Sequence, residues 1–382
     1  MRIGIDARWV FRRVSGIGTY TMELIRALAR RDRDNEYVLF FDSLRLRRRV
    51  VLYAELDHAP NFRTRLLPYG VFSPWAQLSL PHLLKRLRLD VFHSPNYMIP
   101  FLAFPPRRAH PVRCVVTIHD VIPLLFRDHA PRSRKARLFP LYRRLMLEVG
   151  RRADVILTVS ESSREDTLRE LDLPPERAGD VIVVPNGVAP EYKPAARKGS
   201  RKRTVLYVGR SDPYKNVTGL LRTFARVRKL SGGEVQLRVI GPQDSRYPEP
   251  RRVARELEVD RRIVWSGYAS GRKLIGAYQQ ADVFVLLSKY EGFGLPVLEA
   301  MACGTPVVCS NRSSLPEVAG DAALLVDPDD EEAAARAIVR VLDEPGLAER
   351  LIERGRRRAA EFTWDRTAAA TLAAYQRAAR IG

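Results

Sequence analysis

An α/β protein with two doubly wound parallel sheets is the fold class this sequence predicts, and three observations predict it. Short apolar runs that read as buried strands alternate with segments of helical apolar spacing along the whole chain. That alternation is the pattern of a parallel sheet covered on both faces. A length of 382 residues exceeds one typical core and calls for two domains. A proline-rich, basic stretch without apolar periodicity, 189–203, divides the alternation in two. Residues 1–188 and 204–362 are therefore each expected to form a Rossmann-like domain.

Composition narrows the class. Hydrophobic residues make up 46% and charged residues 29%, the balance of a globular protein rather than a disordered or fibrous one. No apolar run approaches the roughly 20 residues of a membrane-spanning helix. The opening MRIGIDARWV runs straight into a strand pattern, without the layout of a signal peptide. Cys114, Cys303 and Cys309 have no metal-ligand spacing and read as core thiols of a reducing cytoplasm. A formal net charge of +21 favours anionic partners, although arginine on solvated faces accounts for much of it. The clusters Arg45–Arg49, Arg107–Arg113 and Arg132–Arg144 all fall in the first half. Recognised basic–aromatic motifs are missing, so no nucleic-acid partner is expected.

In the first half, Ile3–Asp6 is a strand, Gly16-Ile17-Gly18 is expected in a loop, and Thr19–Arg31 has helical apolar spacing through Tyr20, Leu24, Ile25 and Leu28. Strand, glycine loop and helix open a doubly wound domain, whose ligands lie beyond the carboxyl ends of strands. Tyr37–Phe41, Val91–His93, Cys114–Ile118, Val155–Val159 and Val181–Val184 are further strands, with helices at Phe72–Leu87 and Phe139–Val149. Thr117-Ile-His119-Asp120 closes one strand, which places His119 for ligand contact. Asp120 either orients the imidazole or caps the next turn. Across Ser133–Met146, Arg134, Arg137, Arg143 and Arg144 interleave with apolar side chains, and Pro140 is expected to interrupt the helix. The stretch reads as a domain helix with a solvated basic face, and secondly as a surface for anionic membrane. Ser160 is placed to cap a helix.

In the second half, Val205–Val208 is followed by Arg210 and, five positions on, Lys215. Two cations beyond a strand suit a diphosphate, arginine as a bidentate fork and lysine as a point charge. Val235–Gly241, Ile263–Gly267 and Lys273–Gln280 lead to the strand Asp282–Ser288 and then to EGFGLPVLEAMACGTP, Glu291–Pro306. There Gly292 and Gly294 allow a tight turn, and the N-terminus of a helix over Pro296–Ala302 presents N–H groups to a phosphate. Carboxylates beside such a cradle are poor phosphate ligands, so Glu291 and Glu299 suit sugar hydroxyls. Together these residues read as a site for a phosphorylated sugar. Val307–Ser310, Leu324–Val326 and Glu331–Leu342 complete the domain, and Asp329-Asp330 is read as a solvated polar loop. The last helix, Thr363–Arg380, has Trp364 and Tyr375 as anchors.

Glu291 and Glu299, on E-G-F-G-L-P-x-L-E-A-M-A-x-G-x-P, resemble the E-x7-E signature of the retaining glycosyltransferases of family 4. T-x-H-D at Thr117–Asp120, P-N-G-V at Pro185–Val188 and G-R-x-x-x-x-K at Gly209–Lys215 extend the resemblance over both halves. It implies the GT-B fold, with two Rossmann-like domains facing a central cleft. Residues 1–188 would bind the acceptor, 204–362 the nucleotide sugar, and the helix 363–382 would pack back on the first domain. It also implies that Gly16 and Gly18 approach the donor phosphates and acceptor and that His119 lies against the donor sugar. Arg210 and Lys215 would hold the diphosphate with the backbone of Gly292, Phe293, Gly294 and Leu295. Tyr268 would flank the base, Glu291 would bind sugar hydroxyls and Glu299 the ribose.

The reaction implied is transfer of a hexose from a nucleotide-diphospho-sugar to a hydroxyl of a glycan or lipid-linked acceptor, with the anomeric configuration retained. Stabilising the leaving diphosphate is its main electrostatic task. Arg210, Lys215 and backbone N–H groups are expected to do so without metal or other cofactor. The nearest likeness is to bacterial mannosyltransferases of surface polysaccharide assembly, with GDP-mannose as donor and a cytoplasmic site, peripheral on anionic membrane. A nucleotide-sugar epimerase of the same fold and a non-catalytic sugar-nucleotide binder are the alternatives.

Overall fold

The computed structural model describes residues 1–12, 16–106, 110–126, 138–195, 203–231, 234–242 and 244–381. The chain divides into two compact units, one of Met1–Leu125, Leu138–Gly187 and Trp364–Gly382, the other built chiefly from Val188–Thr363. Among the described residues no helix is long and apolar enough to cross a membrane.

The first unit runs β1 (Arg2–Asp6), α1 (Gly16–Arg31), β2 (Glu36–Phe41), α2 (Leu44–Tyr53), β3 (Phe62–Leu66), α3 (Pro74–Arg86), β4 (Val91–Ser94), β5 (Arg113–Ile118), α4 (Ile122–Leu125), α5 (Phe139–Arg152), β6 (Val155–Thr158), α6 (Glu161–Glu170) and β7 (Val181–Val183). Its seven strands are all parallel, in the order β3-β2-β1-β4-β5-β6-β7. The order reverses between β1 and β4, which makes their carboxyl ends the switch point where such sheets bind ligands. One face is covered by α1 and α2 through Leu24, Ile25, Leu28 and Val50, the other by α3 and α5 through Leu80, Leu84, Met146 and Val149.

The second unit runs β8 (Arg203–Val208), α7 (Val217–Leu230), β9 (Val235–Ile240), α8 (Glu249–Glu256), β10 (Ile263–Trp265), α9 (Arg272–Gln280), β11 (Val283–Leu286), α10 (Leu295–Ala302), β12 (Val307–Ser310), α11 (Leu315–Ala319), β13 (Ala323–Val326), α12 (Glu331–Asp343) and α13 (Leu347–Glu361). Six parallel strands follow the order β10-β9-β8-β11-β12-β13, with the switch point between β8 and β11. The final helix, α14 (Trp364–Arg380), belongs to the first unit, where Trp364, Ala368, Ala374 and Tyr375 join the core under α1.

Several expectations need correction. Gly16 and Gly18 do not precede the helix; they form the first turn of α1. Pro140 does not interrupt its helix, because it occupies the first turn of α5, where a missing N–H costs no internal bond. Residues 133–137 of the basic stretch, and 107–109 and 132–137 of the arginine clusters, lie outside the described residues, as do 196–202 of the linker. Asp329 and Asp330 are exposed, as a solvated polar loop requires, and also make local bonds. Asp330 caps α12 through the Ala333 N–H at 2.9 Å, and Asp329 pairs with Lys289 at 2.8 Å and Arg312 at 2.9 Å. All three cysteines are buried, and burial pushes the thiols of Cys303 and Cys309 up to about 12.

Candidate functional site

The carboxyl edge of the second sheet carries charge. The loop after β8 brings Arg210 and Lys215, the loop after β11 brings Glu291, and the two strands flank the switch point. The loops are stitched together, Lys289 N–H donating to the Tyr214 carbonyl at 2.8 Å. Lys215 Nζ donates to both oxygens of Glu291, at 2.7 and 2.6 Å, and Ser288 Oγ adds a third bond at 2.7 Å. Both members of the ion pair are largely buried, with side-chain exposures of 18% and 9%. Arg210 is more exposed and reaches Asp212 at 2.7 Å and Asp244 at 3.8 Å. Asp244 also binds Arg246, whose guanidinium holds its carboxyl below the ordinary range. These cations are thus already engaged by carboxylates that an incoming diphosphate would displace or share.

Glu291 to Leu295 is held by serines the sequence did not single out. Ser313 Oγ accepts from Glu291 N–H at 2.8 Å, and Ser314 Oγ donates to the Glu291 and Phe293 carbonyls at 2.9 Å. The Phe293 ring packs edge-on against Phe362, so its side chain anchors the loop. Gly294 sits at φ +104° just before α10, and a Cβ there would stand 2.6 Å from Leu315 Cδ2. Only glycine fits both the conformation and the space. Gly292 lies in the same turn.

Glu299, on α10, is not bonded to this group. Its Oε2 accepts from Tyr278 OH at 2.7 Å, Tyr192 adds a second bond, and burial raises its carboxyl above the usual range. Tyr268 is exposed in the turn after β10, two strands from β8, or about 10 Å at the usual strand spacing. Close beside it, Gly241 N–H donates to the Gly267 carbonyl at 2.8 Å.

At the carboxyl edge of the first sheet, Asp6 ends β1 in a fully buried pair with Arg8 at 2.7 Å, and the groups around the end of β5 are neutral. His119, just after β5, makes a 3.0 Å bond from Nε2 to the Pro95 carbonyl. A carbonyl only accepts, so Nε2 carries the proton and Nδ1 keeps its lone pair. Burial lowers the His119 pKa, keeping the ring uncharged near neutrality. Asp120 does not orient the imidazole; it caps α4 through Ile122 N–H at 3.2 Å. The Tyr20 ring meets His119 edge-on at 4.7 Å. Behind it runs a buried relay in which Tyr20 OH meets Thr117 Oγ1 at 3.0 Å, Thr117 meets His93 Nε2 at 2.8 Å, and His93 Nδ1 meets Tyr375 OH of α14 at 2.7 Å. Burial drives the His93 pKa down to about 3, so this relay is uncharged as well. A Cβ at Gly16 would meet nothing within 4 Å, so the start of α1 is open.

Within the second unit Arg210, Lys215, Glu291 and Gly292–Leu295 therefore come together, with Glu299 and Tyr268 set apart. Within the first unit His119 is joined by Tyr20, Thr117 and His93. No local pattern marks Ser313, Ser314, Asp244 or His93 as partners of the site, because each arrives from a distant stretch, whereas Ser288 stands only three positions before Glu291.

The family model described as "Glycosyltransferase Family 4" matches residues 14–192, and that described as "Glycosyl transferases group 1" matches 188–358. The chain is 30% identical to the O-antigen chain mannosyltransferase B of Escherichia coli, over 95% of this chain and 96% of that one. It is 35% identical to the MMP alpha-(1->4)-mannosyltransferase of Mycolicibacterium hassiacum, over 69% of this chain and 65% of that one. Among solved structures, sucrose-phosphate synthase from Thermosynechococcus elongatus superposes with a TM-score of 0.78 at 23% identity, over 99% and 98% of the two chains. Two parallel-sheet units, the family matches across both and a full-length mannosyltransferase relative agree: the chain is a glycosyltransferase of GT-B fold and belongs to glycosyltransferase family 4.

Proposed function

We propose that the chain transfers mannose from GDP-mannose to a hydroxyl of a glycan or lipid-linked acceptor in surface polysaccharide assembly, with the anomeric configuration retained. The observation that carries this reading is the bidentate Lys215–Glu291 pair beside Arg210, at the strand ends of the second sheet. Cleavage of the donor puts negative charge on the departing diphosphate, and preorganised cations lower the barrier where that charge develops. Arg210 and Lys215 supply them, and the N–H groups at the start of α10 add a helix terminus. Glu291 shares Lys215 with the diphosphate and accepts from hydroxyls of the hexose. Glu299 binds the ribose, Tyr268 lies by the base, and the exposed Gly16, in one turn with the buried Gly18, approaches donor and acceptor.

The neutral His119 offers its Nδ1 lone pair to a hydroxyl of the sugar. It does not act as an acid, since its lowered pKa leaves it unprotonated near pH 7. In this reading the acceptor attacks on the face the diphosphate leaves, and the departing phosphate oxygen takes the acceptor's proton. No metal is assigned a step. The enzyme works in the cytoplasm, peripheral to an anionic membrane. The mannosyltransferase names of the two relatives support the choice of sugar.

Thermal shift across a panel of nucleotide sugars tests the donor. A ligand at about a hundred times its Kd stabilises by about 2.7 kcal/mol. GDP-mannose is expected to raise the midpoint most; a larger shift with another nucleotide sugar replaces it. NMR of the product tests the stereochemistry, and an inverted anomer overturns the retaining assignment.

A further inference from the structure

We propose that the outer side of α3, with the turn Phe101–Ala103 and the start of α5, is the surface that seats this protein on an anionic lipid bilayer. The inference rests on the peripheral-membrane part of the proposed function and gives it a location. Four large apolar side chains stand out of the protein here: Phe72 at 57% exposure, Trp75 at 67%, Leu78 at 55% and Leu102 at 63%. They are neighbours. Phe72 and Trp75 enter α3, and the turn holding Leu102 is fixed beside α3 by Gln77. Gln77 Nε2 donates to the Ile99 carbonyl at 3.0 Å, and its Oε1 accepts from Phe101 N–H at 2.7 Å. Leu138 and Leu141 are likewise exposed at the start of α5, whose buried side packs in the same core cluster as that of α3. By contrast, Val188–Thr363 exposes only Leu230, Val264, Tyr268 and Leu325 among its described residues.

The charge around this surface selects the partner. From His58 to His119 the sequence contains one carboxylate, Asp90. That side chain is turned to the start of β1, accepting from Arg2 N–H at 2.7 Å. The exposed stripe of α3 begins with Trp75 and Leu78 and ends with His82, Lys85 and Arg86. Arg143 and Arg144 are exposed beside Leu141 on α5. Tryptophan and leucine next to arginine and lysine, with the nearby Glu148 already paired to Arg151 and Arg152, is the composition of an element lying in a headgroup layer. A nucleic acid would use the cations and gain nothing from the leucines. A protein partner would gain from the apolar groups, but does not require so large an excess of cations over carboxylates.

Tryptophan emission tests this directly, since of the four tryptophans Trp9 and Trp364 are buried, Trp265 is half-buried under Arg251 in the second unit, and Trp75 is exposed. Vesicles of equal parts phosphatidylglycerol and phosphatidylcholine, at low salt, are expected to shift the emission to the blue and to co-sediment the protein. Phosphatidylcholine alone is not. Trp75→Phe should remove the shift and keep the co-sedimentation. Trp75→Ser with Leu78→Ser should weaken partitioning by about tenfold or more. Lys85→Gln with Arg86→Gln should weaken it about fivefold per charge and flatten its salt dependence. An unchanged thermal midpoint in each variant confirms that the fold is intact. Wild-type protein that ignores anionic vesicles overturns both this inference and the peripheral reading. Binding that survives Trp75→Ser with Leu78→Ser overturns the location alone. A lipid-free dimer dissociated by the same substitutions gives the surface to a second copy of the chain and also overturns it.

Discussion

The two sheets share a winding order and a switch point, yet the groups at their carboxyl edges differ: ion pairs reached by solvent at the second, and at the first a sealed Asp6–Arg8 pair beside uncharged groups. The edge of the second sheet is a set of charges held in pairs, Lys215 with Glu291, Arg210 with Asp212, and Asp244 with Arg246. The edge of the first sheet seals an ion pair, Asp6 with Arg8, away from solvent and adds a run of uncharged, buried groups, Tyr20, Thr117, His93 and Tyr375, behind a neutral His119. One topology thus serves two tasks. A site for a dianionic leaving group needs cations that stay soluble and oriented while empty, and pairing with carboxylates provides both. A site for hydroxyls needs fixed lone pairs and donors, which neutral hydrogen bonds provide.

Removing a cation from the charged edge should have the largest effect. Lys215→Ala is expected to lower kcat/KM about 10²–10³-fold, as loss of one preorganised donor does elsewhere. Arg210→Ala should cost less, about tenfold, because its side chain is half exposed and its charge better screened. Near-normal turnover in both variants, measured at saturating donor, sinks the diphosphate assignment. Glu291→Ala falls between the two, at about a hundredfold, since it unseats Lys215 and, in the proposed reading, removes a sugar contact. Glu291→Gln should recover part of that loss, and wild-type activity in Glu291→Ala would discard the sugar role.

Breaking the neutral edge should appear first in stability. Tyr375→Phe leaves a buried His93 nitrogen without its partner and is expected to cost about 1–3 kcal/mol, read from the denaturant midpoint. His93 also sharpens the comparison through pH. Its folded pKa of about 3 lies below its unfolded value, so the unfolded chain binds the extra proton. Stability from this group is complete above about pH 6.5 and falls by roughly 1.4 kcal/mol per pH unit below it, until the folded pKa is reached. Compared with wild type, His93→Gln should show a shallower loss of thermal midpoint between pH 6 and pH 4, about the unperturbed His pKa downward. An unchanged slope contradicts the neutral relay. The smallest expected effect is that of Gly294→Ala, at roughly 1–2 kcal/mol for its positive φ, plus a loss of donor affinity as the loop shifts around Leu315.

What the sequence reveals divides along the same physical lines. Strands buried on both faces, such as β5 and β11, are legible because they are continuous apolar runs. The edge strand β3, reading FRTRL with only Phe62 buried, carries no such signal, and it was not among the expected strands. Helix α2 fully buries only Val50, and α13 presents a mostly charged surface, so neither stands out by apolar spacing. Arg210, Lys215 and Glu291–Leu295 were legible because two short motifs hold them. Their partners were not, since Lys215 and Glu291 are 76 positions apart and His93 and Tyr375 are 282 apart. Asp120 was left between two roles, and only the position of the Pro95 carbonyl decides between them.

The return of α14 to the first unit has a consequence for biosynthesis. Trp364, Ala368, Ala374, Tyr375 and Ala378 of this helix complete a core whose other members lie before residue 188. On the ribosome that core must wait for all of Val188–Thr363 to be made, on the order of ten to forty seconds at usual elongation rates. During that interval the side of α1 that α14 will cover is bare, and His93 lacks its tyrosine. The nascent first unit is therefore a natural client for holding chaperones, and it locks only when the last helix emerges.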